Sequence, residues 1–148
     1  MEKYSIFCDL DGVLVDFDKG YEDLTGRNIR GTHVSDADFW EPIDRAGSEF
    51  WYNLEWMKDG KDLWNYIKKY EPTLLSAPSR QNSSRIGKYI WVDRELPGVH
   101  LILRSAKHKS DLSGPNNILI DDRADTIERW NEKHGIGILH VNAENTIK

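Results

Sequence analysis

Two carboxylates, Asp9 and Asp11, stand two residues apart directly after an apolar run, Tyr4-Ser5-Ile6-Phe7-Cys8. Side chains alternate along an extended chain, so both acids face the same way if that run is a strand. Like charges that close repel unless a cation or a shared proton offsets them. The pair therefore suits a magnesium-assisted reaction in which one carboxylate attacks an electrophile and the other moves a proton. Gly12 then lets the chain turn tightly beside a ligand. An Asp-x-Asp by itself is a weak signal, because Asp and Gly are frequent in loops after strands. Its meaning depends on partners supplied by distant parts of the chain.

The elements that would bring those partners can be read from periodicity. Residues 4–9 read as strand one, and Phe17 to Leu24 as a short amphipathic helix stopped near Thr25-Gly26. Residues 27–59 carry aromatics, acids and short helical pieces (Asp36 to Trp40, Ser48 to Trp56) without one long period, which marks an insertion or cap. A helical face resumes with Leu63, Trp64, Ile67 and Tyr70 and stops before Pro72. Thr73–Ser76, Val99–Leu103, Asn117–Ile120 and Ile136–Val141 read as further strands, separated by helices over about residues 82–96 and 124–134. Residues after Val141 are expected to be loosely held.

Strands alternating with helices predict an α/β fold with a mostly parallel sheet covered on both faces. Ligands in such folds bind beyond the carboxyl ends of the strands. Those ends carry Asp9 and Asp11, then Ser76 with Ala77-Pro78, then Arg104, Lys107 and Lys109, then Asp121 and Asp122. Acids, a hydroxyl and cations on one rim form a site for phosphate plus a divalent metal. Four separate segments agreeing is far more specific than any one of them.

Composition bounds the rest. A chain of 148 residues is one domain with room for a modest inserted substructure. A net charge of -5 argues against a dedicated binder of long nucleic acid. The single cysteine, Cys8, excludes an intramolecular disulfide and reads as a buried structural thiol. No signal-peptide pattern and no membrane-length apolar run occur, so a cytoplasmic location is expected. His33, His100, His108, His134 and His140 lack metal-ligand spacing and read as surface or packing residues. Six Trp is many for this length, and a few of them could line a pocket that stacks a flat ligand.

The Asp9/Asp11, Ser76, lysine and Asp121/Asp122 segments, in that order, resemble the four motifs of the haloacid dehalogenase (HAD) superfamily of phosphotransferases. The resemblance covers nearly the whole chain. Within the superfamily it is most similar to the 5'(3')-deoxyribonucleotidase group, through the stretch Asp9 to Phe17, through Lys88-Tyr89-Ile90-Trp91-Val92 and through Ile118 to Arg123. It implies a Rossmann-like, three-layer core over residues 1–16 and 60–148, with a small, largely helical cap over 17–59. It further implies Asp9 as nucleophile, Asp11 as acid/base, and Mg²⁺ held by Asp9, the Asp11 carbonyl and one or both of Asp121 and Asp122. Ser76 and Lys107 would bind the phosphoryl group, with Lys109 and Lys88 as competitors for the lysine role and Arg104 on the substrate phosphate. Phe39 and Trp40 match that group's aromatic substrate pocket. A hydroxyl common at the position of Ala77 is missing here.

The expected activity is Mg-dependent hydrolysis of a small phosphomonoester, most readily a (deoxy)nucleoside monophosphate. A sugar-phosphate phosphatase, a phosphate-binding protein without turnover and a polynucleotide 3'-phosphatase are the alternatives. The acidic net charge disfavours the last.

Overall fold

Each apolar run becomes a strand of one parallel sheet. In the computed structural model, which describes residues 4–29, 34–79 and 81–147, the strands are β1 (Ser5–Cys8), β2 (Thr73–Ser76), β3 (Leu101–Leu103), β4 (Asn117–Asp121) and β5 (Ile136–Leu139). His33 lies outside the described residues. The spatial order is β3-β2-β1-β4-β5, and every neighbouring pair is parallel. The chain leaves β1 toward β2 on one side and returns to β4 on the other. β1 therefore sits at the switch point, and its carboxyl end opens the crevice where ligands bind.

Alternation along the strands builds two cores. Cys8, Leu74, Leu101, Leu103 and Ile120 face a large core that also buries Leu63 and Ile67 of helix α4 (Gly60–Ile67) and Trp91 and Val92 of α5 (Asn82–Glu95). Phe7, Leu75, Ile102 and Leu119 face the opposite way, onto Ile127 and Trp130 of α6 (Ala124–Glu132). Trp130 is fully buried, packs edge-on to Phe7 and donates its indole N–H to the Asn117 carbonyl at 3.0 Å. The result is the three-layer α/β arrangement expected from the strand and helix pattern.

Among the described residues, three helices follow β1 before α4: α1 (Phe17–Thr25), α2 (Asp36–Ala46) and α3 (Ser48–Tyr52). The Asp16 carboxylate caps α1 by accepting from Lys19 N at 3.0 Å, and Gly26 closes it in the left-handed region. Ser35 caps α2 in the same manner through Asp38 N. Aromatic rings bind these helices together: Phe39 stacks on Tyr21 at 4.3 Å, and Phe17 meets Phe39, Trp40, Phe50 and Trp51. α3 rests on α5 at Gly87, where a Cβ would lie 2.3 Å from the Trp51 Cβ. Nearby, Trp91 donates to the Leu54 carbonyl at 2.9 Å, Arg94 to the Tyr52 carbonyl at 2.7 Å, and Trp56 to Glu95 Oε1 at 2.7 Å.

Two short elements differ from the sequence reading. Residues 106–112 form a 3₁₀ helix, and the segment after Val141 forms α7 (Ala143–Ile147) instead of hanging loose. Asp59 Oδ2 accepts from Ala143 N at 2.6 Å at the start of α7, and His140 Nδ1 pairs with Thr146 Oγ1 at 2.7 Å. These bonds hold the segment to the body of the molecule.

Candidate active site

Asp9 is 5% exposed at the centre of the strand-end rim. Its Oδ1 accepts from Leu10 N at 2.8 Å and lies 3.2 Å from Lys109 Nζ. Lys109 is 2% exposed and also reaches Asp121 Oδ2 at 2.8 Å. One buried ammonium thus bridges the carboxylates of two neighbouring strands. Burial alone would lower its pKa, but Asp9 and Asp121 outweigh that and push it above the ordinary lysine value. Asp121 Oδ1 accepts from Arg123 N at 3.0 Å, so both oxygens of this fully buried side chain have donors.

Asp122 completes the acid cluster. Asp9, Asp121 and Asp122 each offer an oxygen within 4.8 Å of the others, a spacing that could hold a metal ion. Gly12 makes this approach possible: its φ is +84°, and a Cβ there would lie 2.0 Å from Asp122 Oδ2. Burial raises the pKa of Asp9 well above the usual carboxylate value, with Asp121, Asp11 and Asp122 adding to it and Lys109 opposing it. Burial and Asp121 push Asp122 up to about 6. More negative charge is gathered here than one lysine offsets. An all-oxygen, carboxylate-rich donor set of this kind fits a hard divalent cation such as Mg²⁺.

Asp11 has a different environment. Its Oδ2 lies 2.8 Å from Lys88 Nζ, which also donates to Ser76 Oγ at 2.9 Å. Lys88, 3% exposed, packs 4.9 Å from the Trp51 ring centroid. The first acid is therefore tied to Lys109 and the second to Lys88. A cavity of about 760 Å³ opens over both acids. Its lining includes the polar or charged Ser79, Lys109, Asp122 and Arg123, and the apolar Phe17, Ile29, Trp40, Trp51 and Met57, of which Phe17, Trp40 and Trp51 touch one another as one aromatic wall.

Comparison with protein-family models and with curated proteins finds no match. Solved structures do match. A hydrolase from Streptococcus pneumoniae TIGR4 aligns over 98% of this chain and 96% of its own, at 12% identity and a TM-score of 0.58. A haloacid dehalogenase-like family protein from Streptococcus pneumoniae covers 98% of this chain and 89% of its own at 14% identity, also with a TM-score of 0.58. A protein described as a predicted phosphatase from Clostridium acetobutylicum aligns over 92% of this chain and 84% of its own, at 17% identity and 0.55. The fold is that of haloacid dehalogenase-like hydrolases. At these identities the likeness is one of fold, and the chemistry of the site rests on this chain's own side chains.

On the haloacid dehalogenase fold, the expected residues divide. Asp9, Asp11, Asp121 and Asp122 come together as the sequence implied. Lys107, the favoured lysine, is exposed, and Lys109 stands against Asp9 instead. The cause is the 3₁₀ helix: side chains three apart eclipse, so Ala106 and Lys109 share the cavity face and Lys107 turns to solvent. Arg104 is also exposed, its guanidinium donating to the Leu103 carbonyl at 3.2 Å, and it does not line the cavity. Ser76 is fully buried behind the wall, where its hydroxyl accepts from Lys88. Trp40 lines the cavity, but Phe39, one position along the helix and so turned about 100° away, packs on Tyr21 and Phe17 as part of the aromatic core.

Sequence reading missed Trp51, Ser79, Arg123 and His140 as cavity residues. Arg123 could have been found from its place directly after Asp122. Trp51 and Ser79 carry no local signal. His140 follows β5, donates its backbone N–H to the Asp121 carbonyl at 2.8 Å and is only 5% exposed. Burial lowers its pKa below the usual histidine value, against the pull of Asp59. No helix among the described residues is long and apolar enough to cross a membrane.

Proposed function

We propose that this protein is a Mg²⁺-dependent phosphomonoester hydrolase that works through an aspartyl-phosphate on Asp9, with nucleoside monophosphates as its preferred substrates. The observation that carries the reading is the division of the two acids: Asp9 is clamped by Lys109 within the Asp121/Asp122 cluster, while Asp11 is held separately by Lys88. Two carboxylates with different partners can take different roles.

Asp9 Oδ1 is engaged by Leu10 N and Lys109, so Oδ2 is the attacking atom. It forms a bond to phosphorus as the ester P–O bond breaks, and Asp11 delivers a proton to the departing oxygen. A water then attacks phosphorus, Asp11 takes its proton, and the Asp9–phosphorus bond breaks to release inorganic phosphate. Lys109 offsets charge on the phosphoryl oxygens. Lys88, itself held by donating to Ser76, fixes Asp11. Asp9 and Asp122, with the backbone carbonyl of Asp11, would hold Mg²⁺, and Asp121 would orient Lys109 beside them. Bound there, the cation supplies a Lewis acid that keeps Asp9 ionised and polarises the phosphoryl group.

The wall of Phe17, Trp40 and Trp51 supports a flat leaving group such as a nucleoside. The test is phosphate release from a panel of ribo- and deoxyribonucleoside monophosphates and sugar phosphates, with Mg²⁺ present. We expect nucleotides to be favoured by about tenfold or more in kcat/KM. Equal turnover of sugar phosphates would remove the nucleotide preference, and no phosphate release from any substrate would remove the hydrolase reading.

A further inference from the structure

A second cavity of about 690 Å³ adjoins the catalytic one, and the two share Trp40, Pro78 and Ser79 in their walls. Trp40 projects from α2 and is braced from several sides. Its ring stacks on Trp51 at 6.4 Å with 21° between planes, lies 6.1 Å from Phe17 and meets Phe39 edge-on at 5.1 Å. Pro78 and Ser79 follow β2, directly after Ser76-Ala77. Beyond Trp40 the second cavity continues along α2, past Asp36, Glu41 and Asp44. The catalytic space and a second space of similar size thus share a boundary made of Trp40, Pro78 and Ser79, in which the braced indole is the largest side chain.

We propose that Trp40 is the size-determining residue of the site, a partition that ends the leaving-group pocket and keeps the second cavity out of use by the native substrate. The proposal rests on the hydrolase reading above but not on the nucleotide preference. A leaving group that ends at Trp40 packs on its face. A bulkier one must displace an indole held by three other rings, which native packing resists. Removing the indole joins the two cavities and lets longer leaving groups extend along α2. The carboxylates of that wall would also act on charge, so uncharged leaving groups are the right probes of size alone.

The experiment uses the full chain and a ladder of phenyl phosphate, naphthyl phosphate and a bulky naphthol-anilide phosphate, with phosphate release measured for wild type, Trp40→Ala and Trp40→Leu. Wild type is expected to lose about tenfold or more in kcat/KM from the smallest to the largest member. In Trp40→Ala the ratio of largest to smallest is expected to rise by about tenfold. Trp40→Leu, which keeps more of the packing, reads the same ratio if the alanine variant does not fold. The matching aryl phosphonates, followed by calorimetry, read the size limit as affinity without turnover. A failure of the hydrolase reading is thereby distinguished from a failure of the partition. Wild type accepting the whole ladder equally, or Trp40 variants lowering every member by one common factor, would overturn the proposal.

Discussion

Lys109 and Lys107 are two residues apart and have opposite fates. Lys109 is buried between Asp9 and Asp121, whereas Lys107 lies in solvent. Removing one partner of a buried charge cluster leaves the rest uncompensated, at a cost of roughly 3–5 kcal/mol. Lys109→Met is therefore expected to lower the midpoint of urea unfolding and to abolish phosphate release. Lys107→Ala should stay within about twofold of wild type in kcat/KM, as a solvent-facing change should. If Lys107→Ala lost activity and Lys109→Met kept it, the lysine assignment would be reversed. Gly12 has an equally local prediction. Its φ lies in the left-handed region, and a methyl group on its Cα would sit 2.0 Å from Asp122 Oδ2, so there is no room for a side chain. Gly12→Ala should weaken Mg²⁺ binding, read by calorimetry, more than it lowers the melting temperature.

At the scale of elements, α3 meets α5 through Gly87, where a Cβ would lie 2.3 Å from Trp51 Cβ and 2.7 Å from the Ser48 carbonyl. Both neighbours belong to the α3 helix and cannot swing aside like a side-chain tip. Gly87→Ala is expected to destabilise the fold by about 1–3 kcal/mol in urea unfolding, as overpacking does. An unchanged midpoint would show that α3 is free to shift. The elements also explain what could be read in the sequence. β2 and β4 were legible as apolar runs ending in polar residues, and α5 as a long segment between Asn82 and Pro97. Strand ends placed Asp9, Asp11, Asp121 and Asp122 on one rim without knowledge of any tertiary contact. The lysine was not legible, because choosing Lys109 over Lys107 needs the three-residue period of a 3₁₀ helix that leaves little trace in seven residues. α7 is five residues long and held by Asp59, which lies far away in sequence. Phe39 and Trp40 could not be told apart until the neighbours of α2 were known.

Across the whole molecule, two titrating groups with shifted pKa values, the exposed Asp122 and the buried His140, make stability depend on pH and metal. Burial and Asp121 raise Asp122 to about 6, so this carboxyl takes up a proton as pH falls through that value. A cation bound there must displace the proton. The rise in melting temperature on adding Mg²⁺ should therefore be larger near pH 7.5 than near pH 5.5. Equal rises at both would place the cation elsewhere. His140 acts in the other direction. Burial lowers its pKa below 6.5, so the unfolded chain binds a proton that the folded one refuses as pH falls past that value. Wild type should lose stability relative to His140→Gln between neutral pH and about pH 5, measured by urea unfolding at each pH. A pH-independent difference between the two proteins would contradict that assignment.

Asp9 as the attacking group is the centre of the proposed mechanism. The most direct measurement is phosphate release, with Mg²⁺, by wild type and by Asp9→Asn, each checked for folding by circular dichroism. The expected result is a folded variant whose kcat/KM is lower by a factor on the order of a thousand or more. A folded Asp9→Asn that retained activity within about tenfold of wild type would contradict covalent catalysis at this residue.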